Sequence, residues 1–391
     1  MQHKLCHNLC YNEICMVMKH ENYPYNPFLL SGYVSPEYFC DRVEETQKLI
    51  SALRNGRNVT LISPRRMGKT GLLRHAFHEI QSAKAGNCYY VDLYQTDSLS
   101  SLVKKLGEAV LGTLDTSETK VVKQISKFFA SLRPVFSFDA ISGEPNIMLD
   151  VQPVNAEKSL SEIFAYMEDS GKQCYVAFDE FQVVDGYADK QVEALLRAHI
   201  QHLNNVRFVF SGSQRHVLEN MFVSANRPFF QSTQIMNLGC IDEAAYYEFA
   251  HKKLEQNGQI LNSTAFNHLY SSLFGHTWYV QMILNRLFET AQKNITEDFI
   301  DATIANVIAE NEATYQTFVR LITPAQRKLL RAVASEGTAK EITGKNFVAK
   351  YQLGAISTIR LSTKTLVEKE LLLGQNAHYE VYDRFFGIWL K

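Results

Sequence analysis

Charge of one sign is missing from this chain: 40 Lys and Arg stand against 41 Asp and Glu over 391 residues, a formal net charge of −1. Taken whole, that balance names no nucleic-acid or membrane partner. Long apolar runs are missing too. No stretch approaches the roughly 18 consecutive apolar residues that a membrane-spanning helix needs. Repeats and low-complexity tracts are absent, and 46% of residues are hydrophobic while 21% are charged. Such a composition excludes a disordered, collagen-like or disulfide-stapled protein. At about 100–200 residues per domain, the length predicts two or three domains.

Paired cysteines are also lacking. The seven, at positions 6, 10, 15, 40, 88, 174 and 240, form an odd set without a secretory leader, which predicts a reducing, cytoplasmic setting and a soluble protein. The only apolar run near the start, residues 14–18, is too short for a signal segment. Cys6, Cys10 and Cys15 with His3, His7 and His20 match no common zinc spacing, so residues 1–24 read as a tail. Cys88 and Cys174 open apolar runs and are expected to pack as small hydrophobes.

The balanced charge hides an uneven distribution. From Thr323 onward there are 11 Lys and Arg against 6 Asp and Glu, whereas the preceding residues hold 29 against 35. A basic C-terminal module on an acidic body suggests division of labour.

Short apolar runs at 58–63, 88–93, 173–178, 206–210 and 235–238 alternate with helical patterns at 69–83, 98–114, 159–170 and 190–203. That alternation predicts α/β architecture around a largely parallel sheet covered on both faces. Two β-like runs around Ile141-Ser-Gly-Glu-Pro-Asn146 interrupt it and predict a hairpin inserted at about 115–155. From Asp242 the pattern is helical, with N-caps expected at Asp242, Ser263 and Thr296. Thr323-Pro324 has the form of a cap followed by Pro at the first helical position.

The stretch Ser63-Pro64-Arg65-Arg66-Met67-Gly68-Lys69-Thr70-Gly71 follows a predicted strand and opens a predicted helix. Backbone N–H groups of a tight loop, with the helix N-terminus, form a phosphate cradle. Gly68 allows close backbone approach, Lys69 is placed to pair with β/γ-phosphate oxygens, and the Thr70 hydroxyl to ligate Mg²⁺. Ser63 stands where the usual motif begins with glycine.

Cys174-Tyr-Val-Ala-Phe-Asp-Glu180 is an apolar strand ending in two carboxylates, about 110 residues downstream. Strand ends of a parallel sheet share one edge, which brings Asp179 beside the loop to support the metal and Glu180 to orient water. The next strand ends in Ser211-Gly-Ser213, so Ser211 or Ser213 is a candidate γ-phosphate or water contact. The same tripeptide also serves as an ordinary strand-to-helix turn. Arg215 and Arg227 are candidate charge stabilisers.

Together these segments resemble the archaeal-type P-loop ATPases of the wider AAA+/STAND group. The resemblance rests on Tyr38-Phe-Cys-Asp-Arg-Val-Glu-Glu45, the loop 63–70, Phe178-Asp-Glu-Phe-Gln182, Ser211-Gly-Ser-Gln-Arg215 and the terminal Val381-Tyr-Asp-Arg-Phe-Phe-Gly-Ile-Trp-Leu390. It implies a P-loop NTPase core at residues 25–241, a helical lid at 242–322 and a C-terminal winged helix at 323–391. By the same resemblance Phe39, Asp41 and Arg42 lie near the adenine of ATP. Where the group has Gly-x-Pro in the lid, this chain has Gly275-His276-Thr277.

In the basic module, residues 345–351, a turn at 352–355 and residues 356–371 read as helix-turn-helix, followed by a wing hairpin at 372–381. The second helix presents Arg360, Lys364 and Lys369, with Ser357, Thr358 and Thr363, as candidate DNA contacts. Glu368 and Glu370 dilute that face, which keeps a protein partner open. Tyr382, Phe385, Phe386 and Trp389 form an apolar stripe that reads as an anchor. The expected activity is Mg²⁺-dependent ATP hydrolysis driving a conformational switch. Two alternatives are a nucleotide-gated DNA-binding regulator with slow hydrolysis and an ATP-dependent assembly scaffold acting through self-association or a protein client.

Overall fold

A computed structural model describes residues 25–112, 133–138, 145–375 and 377–391. The N-terminal Cys/His set, most of residues 115–144 and the tip of the wing therefore lie outside the described residues. The chain divides into two compact units, one of residues 31–242 and one joining 25–30 to 243–391.

In the first unit strands and helices alternate: α1 (Val43–Arg54), β1 (Val59–Ile62), α2 (Lys69–Ser82), β2 (Asn87–Asp92) and α3 (Leu99–Leu111). The strands β3 (Arg133–Phe138) and β4 (Pro145–Asp150) come next, then α4 (Ala156–Asp169), β5 (Cys174–Asp179), α5 (Val192–Ile200), β6 (Val206–Gly212), α6 (Arg215–Val223) and β7 (Gln234–Asn237). Five of these strands form one parallel sheet in the order β2-β5-β6-β1-β7. The expected parallel α/β layer is present.

Every residue of β5 is buried, which is why its sequence is apolar without alternation. Val176 and Phe178 pack on one face with Phe208, Phe210 and the α3 residues Leu102 and Leu106. Tyr175 and Ala177 pack on the other with Leu61 and the α2 residues Leu72, Leu73 and Ala76. Cys174 and Cys88 fall on opposite faces of the sheet. Both thiols are free and buried; burial pushes Cys88 up to about 12 and raises Cys174 as well. They pack as small hydrophobes and are no disulfide pair.

Between α3 and α4, β3 pairs antiparallel with β4, Arg133 opposite Asp150 and Phe138 opposite Pro145. α3 starts at a capping box in which Ser98 accepts from the Ser101 backbone, satisfying an orphan N–H of the first turn.

The second unit continues with α7 (Glu243–Gln256), β8 (Ile260–Leu261), α8 (Ser263–Ser272), α9 (Thr277–Phe288), β9 (Asn294–Ile295), α10 (Glu297–Glu310) and α11 (Glu312–Arg320). It ends with α12 (Pro324–Glu336), β10 (Thr338–Lys340), α13 (Lys345–Tyr351), α14 (Ile356–Glu368), β11 (Leu372–Gln375), β12 (His378–Val381) and α15 (Arg384–Trp389). Thr296 caps α10, and Thr323 caps α12 in a box with Gln326. The cap of α8 is Asn262 and not Ser263: its extended backbone lets the side chain accept from the Ala265 N–H at 2.8 Å.

Residues 25–30, expected to open the core, pack with the second unit. The reason is apolar: Phe28 is fully buried, edge-on to Phe249 and Phe288. Two side-chain amides lock the segment: Asn26 donates to the Asn285 carbonyl at 2.9 Å, and Asn285 donates to the Phe28 carbonyl at 2.8 Å.

The helical stretch and the C-terminal module, expected as two domains, lie in one compact unit. α15 accounts for it, with Phe385 edge-on to Tyr279 and Phe386 stacked on Tyr315. The strand β10, before the helix-turn-helix α13–α14, joins the two strands after it in a three-stranded sheet β10-β12-β11. Its edge strand β10, only three residues long, is too short for alternation to mark it in the sequence. Among the described residues no helix is long and apolar enough to cross a membrane.

Candidate nucleotide site

The loop between β1 and α2 lies at the shared C-terminal edge of the sheet. Gly68 adopts φ 92°, with open space where a Cβ would stand, a left-handed conformation that glycine takes at little cost. Ser63 is fully buried and is not among the residues with positive φ, so serine fits where the usual motif has glycine. Its hydroxyl donates to the Pro64 carbonyl at 3.0 Å. Arg66 takes φ 63°.

Lys69, 6% exposed, donates to the Ser63 and Pro64 carbonyls at 3.1 and 3.0 Å. Burial lowers its pKa, opposed by Glu180 and Asp179. The Thr70 hydroxyl donates to Asp179 Oδ2 at 2.7 Å, so loop and strand end meet across 109 residues of chain. The backbone N–H of Glu180 donates to Asp179 Oδ1 at 3.1 Å.

Glu180 sits at φ 55°, where β5 turns sharply into the following helical turn. Its Oε2 accepts from Ser213 Oγ at 2.9 Å and from Gln182 Nε2. Arg65 Nε reaches Ser213 Oγ at 3.3 Å. The strand order explains this grouping, because β6 lies between β1 and β5 and delivers Ser213 between loop and carboxylates. Ser211 is buried within β6, paired with Leu61, and its Oγ finds no partner among the described atoms. Of the two serines, the structure brings Ser213 to Glu180.

Phe39 stacks on His75 with ring centroids 4.3 Å apart. Gly71 is what lets that ring approach α2, since a Cβ there would stand 3.2 Å from Phe39 Cε2. The Tyr33 hydroxyl lies 3.0 Å from His75 Nδ1. Burial lowers the His75 pKa, and burial with Glu79 pushes the Tyr33 phenol up to about 12.

Asp41 and Arg42 are both left-handed, at φ 50° and 64°. Arg42 is only 2% exposed. Its guanidinium donates to the carbonyls of Met67 at 3.1 Å, Gly239 at 2.7 Å and Cys240 at 3.3 Å, and to Glu45 at 2.8 Å. Arg42 therefore ties the loop to the chain beyond β7.

Two further arginines are engaged with acids. Arg215 pairs with Glu219 at 2.7 Å, and Arg227 with Asp185 and Glu193.

Sequence reasoning missed Tyr90 and Gln182. The Tyr90 hydroxyl donates to Asp179 Oδ2 at 2.7 Å; burial and the neighbouring Asp179 raise its pKa, so it remains a donor. Only the adjacency of β2 and β5 could reveal Tyr90. Gln182, two residues after Glu180, is visible as a polar residue in an apolar stretch.

In the second unit Arg360 and Lys364 are exposed on α14, with Lys364 3.8 Å from Glu368. Lys369 instead donates to the Leu321 carbonyl at 2.9 Å.

Residues 39–283 match the model of a family described as an ATPase domain predominantly from Archaea, and residues 313–391 that of a probable winged helix domain. No curated protein sequence matches this one. Among solved structures, a Walker-type ATPase of Pyrococcus abyssi is similar at a TM-score of 0.63 and 18% identity, covering 93% of this chain and 99% of that one. The ORC2 protein of Aeropyrum pernix in its ADPNP–ADP complexes is similar at 0.59 and 14%, covering 93% and 95%. The Aeropyrum pernix ORC1 protein in complex with DNA gives 0.50 and 11%, covering 94% and 96%. At these identities the likeness is one of fold: a P-loop sheet with a C-terminal winged helix.

Proposed function

The chain belongs to the family of ATPase domains found predominantly in Archaea, and on that premise we propose that it binds ATP with Mg²⁺ at loop 63–70 and hydrolyses it to drive a conformational switch. One observation carries the reading: Thr70 and Asp179 meet at 2.7 Å beside Lys69 and Glu180. A hydroxyl and a carboxylate, both hard oxygen donors, fit a small divalent cation. When bound, the ion neutralises charge on the phosphate oxygens.

The chain's own residues supply the rest. Backbone N–H groups of 65–70 cradle phosphate and Lys69 swings from the Ser63 and Pro64 carbonyls to its oxygens. Thr70 and Asp179 hold the metal. Glu180, its orientation set by Ser213 and Gln182, positions and polarises the attacking water. Arg65 is linked to the same group through Ser213. Phe39 offers its ring to the adenine base, while Arg42 braces the loop rather than reading the base.

Equilibrium binding of a fluorescent ATP analogue and phosphate release test the reading together. Lys69→Ala should abolish binding, and Glu180→Gln should keep binding while turnover falls about 10²- to 10⁴-fold. Parental turnover in both purified variants would overturn it.

A second reading is favoured by α14, whose Arg360 and Lys364 are exposed together with Ser357 and Thr358. It is that the winged helix contacts DNA and the nucleotide state gates the contact. Salt-dependent binding to duplex DNA is the measurement that decides it.

A further inference from the structure

The carboxylate of Asp179 is held by more than its neighbours in the motif. Oδ2 receives two hydroxyl hydrogens, from Thr70 and from Tyr90, each at 2.7 Å. In the register of β2 against β5, Tyr90 stands opposite Ala177 and Asp92 opposite Asp179. Tyr90 and Asp179 thus share one face of the sheet, two positions apart, a diagonal that a phenol spans and a shorter side chain would not. That face is covered by α2, and Thr70 and Arg74 are one helical turn apart on it. The Arg74 guanidinium lies 3.7 Å from the centroid of the Tyr90 ring, which pins the ring by a cation–π contact.

We propose that Tyr90, held by Arg74, is a positioning residue for the metal-supporting carboxylate, fixing Asp179 so that the Thr70–Asp179 pair accepts a divalent cation together with nucleotide. This rests on the ATP and Mg²⁺ reading above. Thr70 has a single hydroxyl hydrogen and gives it to Asp179, which leaves its lone pairs to face a cation. At Oδ2 that bond alone would leave the carboxylate free to pivot about its Glu180-bound Oδ1 whenever Thr70 turned. A second, charge-assisted bond from a neighbouring strand removes that freedom. Outer partners that orient a metal ligand in this way typically carry about 10- to 100-fold in metal affinity.

The test uses the full chain, ADP and Mn²⁺ as the metal probe, with free Mn²⁺ read by electron paramagnetic resonance. Tyr90→Phe, which removes only the hydroxyl, should weaken ADP-dependent Mn²⁺ uptake about tenfold or more. ADP affinity in EDTA and the nucleotide-free Tm should stay parental. Arg74→Gln should weaken uptake about threefold, and it carries the same criterion should Tyr90→Phe fail to fold.

Equal Mn²⁺ midpoints in parent and variants would overturn the role of Tyr90. So would a parallel fall in EDTA affinity and Tm, which a merely structural tyrosine would produce. If the parental chain takes up no Mn²⁺ with ADP, the ATP reading itself falls. If it does and Tyr90→Phe matches it, only the role of Tyr90 falls.

Discussion

The sheet edge and the outer face of α14 carry side chains of similar kinds and use them differently. At the edge, Thr70, Tyr90, Asp179, Glu180, Gln182 and Ser213 are joined by hydrogen bonds to one another. Asp179, at their centre, is only 3% exposed, and its carboxylate would lose water without replacement if those bonds were absent. On α14, Ser357, Thr358, Arg360 and Lys364 stand in water, and Leu361 is 67% exposed. The first region is ordered by the protein itself; the second leaves its polar groups available to a partner. A pre-ordered site suits chemistry, which depends on fixed positions. An open, basic helix face suits recognition of a surface.

The sharpest way to break this comparison is through two arginines. Arg42→Ala removes a buried guanidinium that serves three carbonyls and Glu45, and unfolding in urea should show a loss of about 3 kcal/mol. Arg360→Ala should leave the unfolding midpoint unchanged. Equal effects would mean that the two regions do not differ in how the fold uses them.

The next effect sharpens the recognition side. If α14 meets DNA, Arg360→Ala and Lys364→Ala should each lower the slope of log affinity against log salt by about one. Lys369→Ala should change the slope less, since its ammonium is occupied by the Leu321 carbonyl. No binding to duplex DNA at low salt would remove the DNA reading and leave a protein partner for α14.

The smallest effect is a pH dependence confined to the sheet edge. Burial lowers the His75 pKa below its ordinary 6.5, with Glu79 opposing and His78 assisting. As pH falls, the unfolded chain therefore takes up that proton first. Stability from the neutral ring is present above about 6.5 and is lost as pH drops below it. The Tm of nucleotide-free protein should fall more steeply between pH 7 and 5.5 in the parent than in His75→Phe. Identical slopes would show that His75 does not titrate in that window.

Much of the fold is legible in the chain because its signals are local. The apolar run of β5 without alternation marks a strand covered on both faces, and the capping box at Thr323 marks the start of α12. The loop 63–70 is legible for the same reason, since glycine, lysine and threonine are specified by their place between one strand and one helix. What resists reading depends on partners distant in sequence. Phe28 sits between Phe249 and Phe288 of the second unit, and nothing near residue 28 announces that. Arg42 carries no local mark either: its acceptors at Met67, Gly239 and Cys240 are main-chain carbonyls, which have no residue identity.

By itself, then, the sequence determined the alternation of strands and helices, the phosphate loop, the two carboxylates that end β5 and the basic helix-turn-helix. These follow from periodicity, caps and turn residues, all of which act over a few positions. Tertiary structure alone decided that Ser213 and not Ser211 meets Glu180, that Tyr90 reaches Asp179, and that Lys369 is tied to Leu321. Those outcomes depend on which strand or helix end lies beside which, and that is settled only when each unit is assembled.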